Sequence, residues 1–320
     1  MERWLWPGNV YLDAGLLGLA LLLDLLLPEP PNAAHPVAWI GKGTAFCERR
    51  APKHGKLRHL CYGLLMAIGL PLFVAVAVGA IAYGLRALSP IAYVLIGALL
   101  LRGVFTVRGL GRAGRQVERD LAAGNIASAR ASLRSLVSRE TAQLSPSQAA
   151  GAAVESVAEN TTDSFIAPWL AFGLLGLPGA FFYRAVNTLD SMIGYRGRYE
   201  WLGKASARLD DALNFIPARV SAMLLLAAGL LRRLDARRGW RIMRRDHALT
   251  ASPNAGWTMG AAAGLLGVAL EKQGHYLLGE GLREPSAGDI GRAVALCYAV
   301  GLLGAVAACG VTLARACAMA

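Results

Sequence analysis

The run CYGLLMAIGLPLFVAVAVGAIAYGL at residues 61–85 contains no charged side chain over a length that can cross a bilayer. It decides the fold class. Lipid offers no partner for a backbone N–H or C=O, so a segment of this kind must satisfy its own hydrogen bonds as a helix. Ser89-Pro90 follows as an N-cap and first-turn pair, and residues 90–107 return as a second helix interrupted by Arg102. The two form a tight hairpin. Outward from this hairpin, further membrane helices are expected at 10–27, 218–231 and 293–314, with a small-residue packing helix at 256–270.

Composition agrees with an all-α, polytopic membrane protein forming one integral-membrane domain over residues 1–320. Hydrophobic residues make up 55% of the 320 and charged residues only 17%, with a mean hydropathy of +0.42. The net charge of +12 collects between the apolar runs, as in the basic stretches 35–58 and 232–245. That is the pattern of cytoplasmic loops; 35–58 reads as a solvated, topology-setting loop and 232–245 as a segment facing lipid headgroups, so lipid of the cell's cytoplasmic membrane is one expected partner. No aromatic-rich basic platform accompanies the charge, which argues against nucleic acid. Cys47, Cys61, Cys297, Cys309 and Cys317 are odd in number and form no CxxC pattern, so buried free thiols are expected. Met1-Glu2-Arg3-Trp4-Leu5-Trp6-Pro7 lacks a strongly basic region and a cleavage site, and reads as an uncleaved anchor. The helix at 10–27 is about 27 Å long against a hydrocarbon core of about 30 Å. Asp13 and Asp24 share one of its faces near its ends and should point into protein.

Residues 165–182 are apolar but carry Pro168, Gly173, Gly176, Pro178 and Gly179. A broken or re-entrant segment is expected, because freed backbone groups are tolerated at membrane depth only against protein or water. The segments on either side, 102–163 and 184–219, are polar and should share the cytoplasmic face. Gly109-Leu110-Gly111-Arg112-Ala113-Gly114 matches GxGxxG but follows no convincing strand, so chance explains it. No GxxxxGK[ST] occurs, and any ATP must be held another way. Ser145-Pro146-Ser147-Gln148 is a capping box that starts a helix running to about Asn160. Glu155 and Glu159 fall in its last turns, where carboxylates oppose the helix dipole and call for a cation nearby.

Three bursts of polar residues stand out against this background. The first, Val154-Glu155-Ser156-Val157-Ala158-Glu159-Asn160-Thr161-Thr162-Asp163, puts Glu155 and Glu159 on one helical face with Ser156 and Asn160 beside them. In Tyr183-Arg184-Ala185-Val186-Asn187-Thr188-Leu189-Asp190, one face carries Arg184, Asn187 and Asp190. The third, Ala207-Arg208-Leu209-Asp210-Asp211-Ala212-Leu213-Asn214, repeats the spacing with Asp210 and Asn214 and ends at Pro217-Ala218-Arg219. Read blandly, these are ion pairs pinning helices, with Arg184, Arg208 and Arg219 serving Asp190, Asp210 and Asp211. Yet the carboxylates exceed the local arginines. Oxygen-rich sets of this kind suit Mg²⁺, and the arginines suit phosphate or carboxylate oxygens. Glu155, Glu159, Asp163 and Asp190 are therefore the candidates for Mg²⁺ ligation or catalysis. Arg184, Asn187, Arg208, Asp210, Asp211, Asn214 and Arg219 are candidates for substrate or phosphate binding, with His35 and Asp24 as an additional pair.

The three bursts, together with Asp24, Glu29-Pro30, His35-Pro36-Val37-Ala38-Trp39-Ile40-Gly41 and Ser252-Pro253-Asn254-Ala255-Gly256, resemble the adenosylcobinamide-phosphate synthases, integral membrane proteins of cobalamin biosynthesis. The similarity spans nearly the whole chain, with the motifs in the same order. One departure is visible: that family usually has Glu shortly after Ser-Pro-Asn-x-Gly, where this chain has Trp257-Thr258-Met259. The resemblance implies an ATP-consuming ligase that joins adenosylcobyric acid to aminopropanol, as its phosphate, through an amide on a corrin propionate. It implies Mg²⁺ and ATP, a corrinoid and aminopropanol phosphate as substrates, and association with other late cobalamin-pathway enzymes or with copies of itself. Two other classes compete. A secondary transporter would show inverted repeats, and none is evident. A non-catalytic membrane sensor of the same fold would lose the polar bursts, and they are retained.

Overall fold

The computed structural model describes residues 10–195 and 197–319. The expected anchor at residues 1–7 lies outside the described residues, as do Arg196 and the side chain of Cys317. Thirteen α-helices among the described residues are joined by short connections, with one two-stranded hairpin. The chain is an all-α polytopic membrane protein. Three segments, Lys56–Leu88, Pro146–Ile193 and Ala287–Arg315, are long and apolar enough to cross a membrane.

Two compact units divide the chain. The first runs up to Thr106, resumes at Ala167–Leu213 and ends with Ala305–Ala320. It holds α1 (Val10–Leu26), α2 (Pro36–Arg49), α3 (Lys56–Leu88), α4 (Pro90–Arg102), α8 (Ala167–Ile193) and α9 (Lys204–Leu213). Helices α1 and α4 approach closely because position 97 is glycine: a Cβ there would strike the side chain of Leu16. Asp13 faces protein as expected. It is buried and accepts hydrogen bonds from Arg86 (2.7 Å), Tyr93 (2.6 Å) and Arg315. The break expected within 165–182 falls at Gly176, whose backbone (φ 67°, ψ −158°) is one that glycine adopts without steric penalty. Pro178 removes a further helical donor, and Arg315 donates to the Phe172 carbonyl at 3.4 Å.

The second unit comprises Val107–Ile166 and Asn214–Gly304. Its helices are α5 (Arg108–Ala122), α6 (Ile126–Leu133), α7 (Pro146–Thr161), α10 (Phe215–Leu231), α11 (Ala236–Asp246) and α12 (Ala255–Leu266), with strands β1 (Leu270–Lys272) and β2 (Tyr276–Leu278). A π-helical turn, Thr162–Ile166, follows α7. Most of α13 (Ala287–Met319) belongs here as well. The GxGxxG stretch lies inside α5, and its glycines serve packing: a Cβ at Gly111 would collide with the Tyr298 ring.

Several boundaries differ from expectation for physical reasons. The helix expected over 90–107 ends at Arg102, whose guanidinium bonds the carbonyls of Leu23 (3.1 Å), Leu27 (3.0 Å) and Pro28 at the end of α1. Arg102 therefore closes one helix instead of interrupting another. The helix expected over 256–270 stops at Leu266, because Gly267 takes the left-handed conformation (φ 70°) that terminates helices. The helix expected over 218–231 starts at Phe215, so that Pro217 lies inside its first turn. The break falls earlier, at Asn214, since the proline ring conflicts with a helical carbonyl four residues back while being tolerated in the first turn of α10. Of the four cysteines whose side chains are described, Cys297 alone is buried; Cys61 is exposed and Cys47 and Cys309 are half-buried.

Candidate functional site

In the second unit the capping box sets the register of α7. Ser145 Oγ accepts from the Gln148 N–H at 3.2 Å while Gln148 Oε1 accepts from the Ser145 N–H at 2.9 Å. Glu155, Glu159 and Asp163 then follow at four-residue intervals, the last in the π turn. Glu155 is buried, 4% exposed, and Arg139 donates to its Oε2 at 2.6 Å. Its Oε1 is buried and accepts no hydrogen bond from the described residues. Glu159 is exposed, and the neighbouring carboxylates of Asp163 and Glu155 repel it while Lys272 and Arg139 attract it. The cation expected at this helix end is thus Arg139, with Lys272 of β1.

Arg139 reaches Glu155 from the loop 134–145, which is held from both sides. Arg130 donates twice to the Leu144 carbonyl (2.9 and 2.7 Å), and Ser156 Oγ donates to the Leu136 carbonyl at 2.6 Å. Asn160 in turn donates to Ser156 Oγ at 3.0 Å, so the Ser156–Asn160 pair supports the acidic face without belonging to it. Tyr276 of β2 closes the group. Burial raises the ionisation range of its hydroxyl, and the carboxylates of Glu155 and Glu159 raise it further, which keeps it a neutral donor. The hydroxyl also meets the Met259 sulfur at 3.9 Å, so the one departure from the resembling pattern lies against this group.

Arg219 and Asn214 fall in the same unit. Arg219 donates to Asn254 Oδ1 (2.7 Å) and to the Phe215 carbonyl (2.8 Å), and its guanidinium lies over Phe215 (3.7 Å) and Trp257 (4.9 Å). It forms no ion pair among the described residues, contrary to the expected partnership with a neighbouring aspartate. A planar guanidinium oriented by an amide and two rings suits an oxyanion. Asn214 is buried at the residue preceding α10.

The remaining candidates lie in the first unit. Arg184 donates to the Val104 carbonyl at 2.7 Å and to Asn187 Oδ1 at 3.0 Å, and Asn187 donates to Asp210 at 3.3 Å. This chain of bonds joins the second and third polar bursts. Thr106 donates to Glu29 at 2.9 Å and to the buried Asp24 at 3.3 Å. His35 caps α2 by accepting from the Val37 N–H at 3.3 Å. Burial lowers its pKa, Glu29 raises it, and Arg184 and Arg102 lower it, with a net fall that leaves the ring neutral near pH 7. Arg208 and Asp211 form an exposed pair at 3.6 Å, the bland reading of both residues. Asp190 belongs to this unit with Arg184, Asn187 and Asp210.

The four residues expected as Mg²⁺ ligands are therefore divided: Glu155, Glu159 and Asp163 share one face, and Asp190 belongs to the other unit. Among the described residues no group of three or more His, Cys, Asp or Glu side chains is arranged to enclose a metal. Mg²⁺ characteristically takes one or two carboxylates and keeps waters or substrate phosphates. The unpartnered Oε1 of Glu155 and the exposed carboxylate of Glu159 fit that demand. Arg139, Lys272 and Tyr276 escaped the sequence reading. They come from a loop and a hairpin with no periodic relation to α7, and the surplus of acid at a helix end was the only signal.

A family model described as CobD/Cbib protein matches residues 17–297. A protein named cobalamin biosynthesis protein CobD, from Dehalococcoides mccartyi (strain CBDB1), is 48% identical over 265 residues, covering 83% of this chain and 86% of its own. A probable cobalamin biosynthesis protein CobD from Methanothermobacter thermautotrophicus is 41% identical, covering 84% of this chain and 87% of its own. Cobalamin biosynthesis protein CbiB from Salmonella typhimurium is 38% identical, over 89% of this chain and 93% of its own. No solved structure matches the chain.

Proposed function

Because the chain belongs to the CobD/CbiB family and is an enzyme of cobalamin biosynthesis at the adenosylcobinamide-phosphate synthase step, we propose that it forms the amide bond of that step at the expense of ATP. The observation that carries this reading is Glu155: a buried carboxylate with one oxygen held by Arg139 and the other without a hydrogen-bond partner among the described residues, in series with Glu159 and Asp163.

A carboxylate is a poor acyl donor because its leaving group would be an oxide. In the proposed reaction a corrin propionate oxygen attacks the γ-phosphorus of ATP, ADP departs, and an acyl phosphate results. The aminopropanol nitrogen then attacks the acyl carbon, inorganic phosphate leaves, and the nitrogen gives up a proton. Glu159 is the base we assign to that proton, being exposed on the acidic face one helical turn from Glu155 and from Asp163. Arg139 holds Glu155 in place, and the Tyr276 hydroxyl lies against the Met259 sulfur beside the group. Arg219, with no carboxylate partner among the described residues, is suited to a phosphate oxygen. Mg²⁺, when bound through Glu155, Glu159 or Asp163, would supply positive charge against the transferring phosphoryl group. We place the reaction on the cytoplasmic side of the cell membrane, where the basic segments belong by the positive-inside rule.

Purified protein supplied with adenosylcobyric acid, aminopropanol phosphate, ATP and Mg²⁺ should yield the corrinoid amide with matched release of ADP and phosphate. Omitting ATP or adding excess EDTA should stop it. Amide formation that proceeds undiminished without ATP would refute the proposed chemistry.

A further inference from the structure

Helix α11 is strongly two-sided. Gly239, Ile242, Met243 and Asp246 are buried, while Arg237, Trp240, Arg241 and Arg244 are exposed along the opposite stripe. The apolar residues Met223, Leu226 and Leu230 of α10 lie beside that stripe, and the two helices line a groove of about 1030 Å³. Gly239 permits the approach, since a Cβ there would press on Leu226.

The arginines differ in how far they are committed. Arg245 is spent on Asp246, with bonds of 2.5 and 2.9 Å. Arg237 and Arg241 make no hydrogen bond or ion pair with the described residues, and Arg244 only lies over the Trp240 ring at 5.7 Å. Three guanidiniums with donors to spare therefore border an apolar wall. A soluble anion would satisfy the arginines and leave the wall bare; a hydrocarbon would do the reverse. A phosphate group joined to a long apolar chain satisfies both, and a tryptophan between them is suited to the boundary between headgroup and acyl chain. We propose that this groove is a binding site for one anionic phospholipid. Its phosphate meets Arg237, Arg241 and Arg244, and an acyl chain follows Met223, Leu226 and Leu230. The inference is independent of the catalytic reading.

The test is native mass spectrometry of the full chain in neutral detergent, titrated with phosphatidylglycerol or phosphatidylcholine. Wild-type protein should retain phosphatidylglycerol in preference to phosphatidylcholine. The triple variant R237Q/R241Q/R244Q should retain it at least about tenfold less well, three cations near an anionic headgroup being lost. The variant K42Q/R49Q/K53Q removes the same charge from exposed positions of the first unit and should retain lipid as wild type does. Trp240→Ala keeps every charge and should also weaken retention, which decides the matter if the triple variant does not fold. Equal loss in the two triple variants, equal retention of the two lipids, or displacement of phosphatidylglycerol by inorganic phosphate would each overturn the proposal.

Discussion

The acidic face of α7 and the arginine-centred region of the first unit are both dense in polar groups, yet they use charge in opposite ways. On α7, the carboxylates of Glu155, Glu159 and Asp163 face two cations, Arg139 and Lys272, and one buried oxygen of Glu155 is left over. In the first unit, Arg102 spends its guanidinium on three carbonyls at the end of α1, and Arg184 bonds the Val104 carbonyl and the amide of Asn187. One region leaves a buried acceptor unused among the described residues. The other consumes its bonding capacity in closing helix ends that lipid cannot solvate.

Substitutions can break that contrast, and the largest effect should come at Arg139. Arg139→Ala leaves the Glu155 carboxylate buried without its partner, which should cost about 3–5 kcal/mol and lower Tm sharply in detergent. Restoring Tm in the double variant Arg139→Ala, Glu155→Gln would identify the lost pair as the cause. Arg102→Ala should be next, at about 1–3 kcal/mol for carbonyls left without donors, with the activity of the surviving folded protein unchanged. A fall in activity there at constant Tm would blur the distinction between the two regions.

Asp246 sharpens the comparison through pH. Burial alone would raise its pKa, but the hydrogen bond from Arg245 and the Gly279 N–H (2.6 Å) outweigh it and hold the folded value below the usual carboxylate range. Its stabilising contribution should therefore be complete above the ordinary aspartate pKa of about 3.9 and disappear as pH falls through the depressed folded value. Tm measured from pH 6 downward should fall less steeply in Asp246→Asn than in wild type, though from a lower start. The smallest effect belongs to Arg208→Ala. Its pair with Asp211 is solvent-exposed, and Tm should move by no more than about 1 kcal/mol allows.

What was legible in the sequence was what depends on neighbours along the chain. The capping box at Ser145 set the register that aligns Glu155 with Glu159, and glycine and proline within 165–182 announced the break found at Gly176. The aspartates of α1 announced their own burial, because a charge in so short an apolar helix has to find protein. The rest depended on through-space partners. Nothing in the spacing of Arg139, 16 residues before Glu155, or of Tyr276 on a three-residue strand connects either to α7. The reading of Arg102 as an interruption failed similarly, because its acceptors lie 74–79 residues earlier.

Glu159→Gln tests the central claim most directly, since it preserves volume, removes one exposed carboxylate and leaves the Arg139–Glu155 pair untouched. The measurement is amide product formed per unit time by the purified variant, with its Tm recorded in the same preparation. If the acidic face of α7 performs the chemistry, product formation should fall by about 10²- to 10⁴-fold while Tm stays at the wild-type value. A Glu159→Gln protein that is folded and forms product at the wild-type rate would contradict the account.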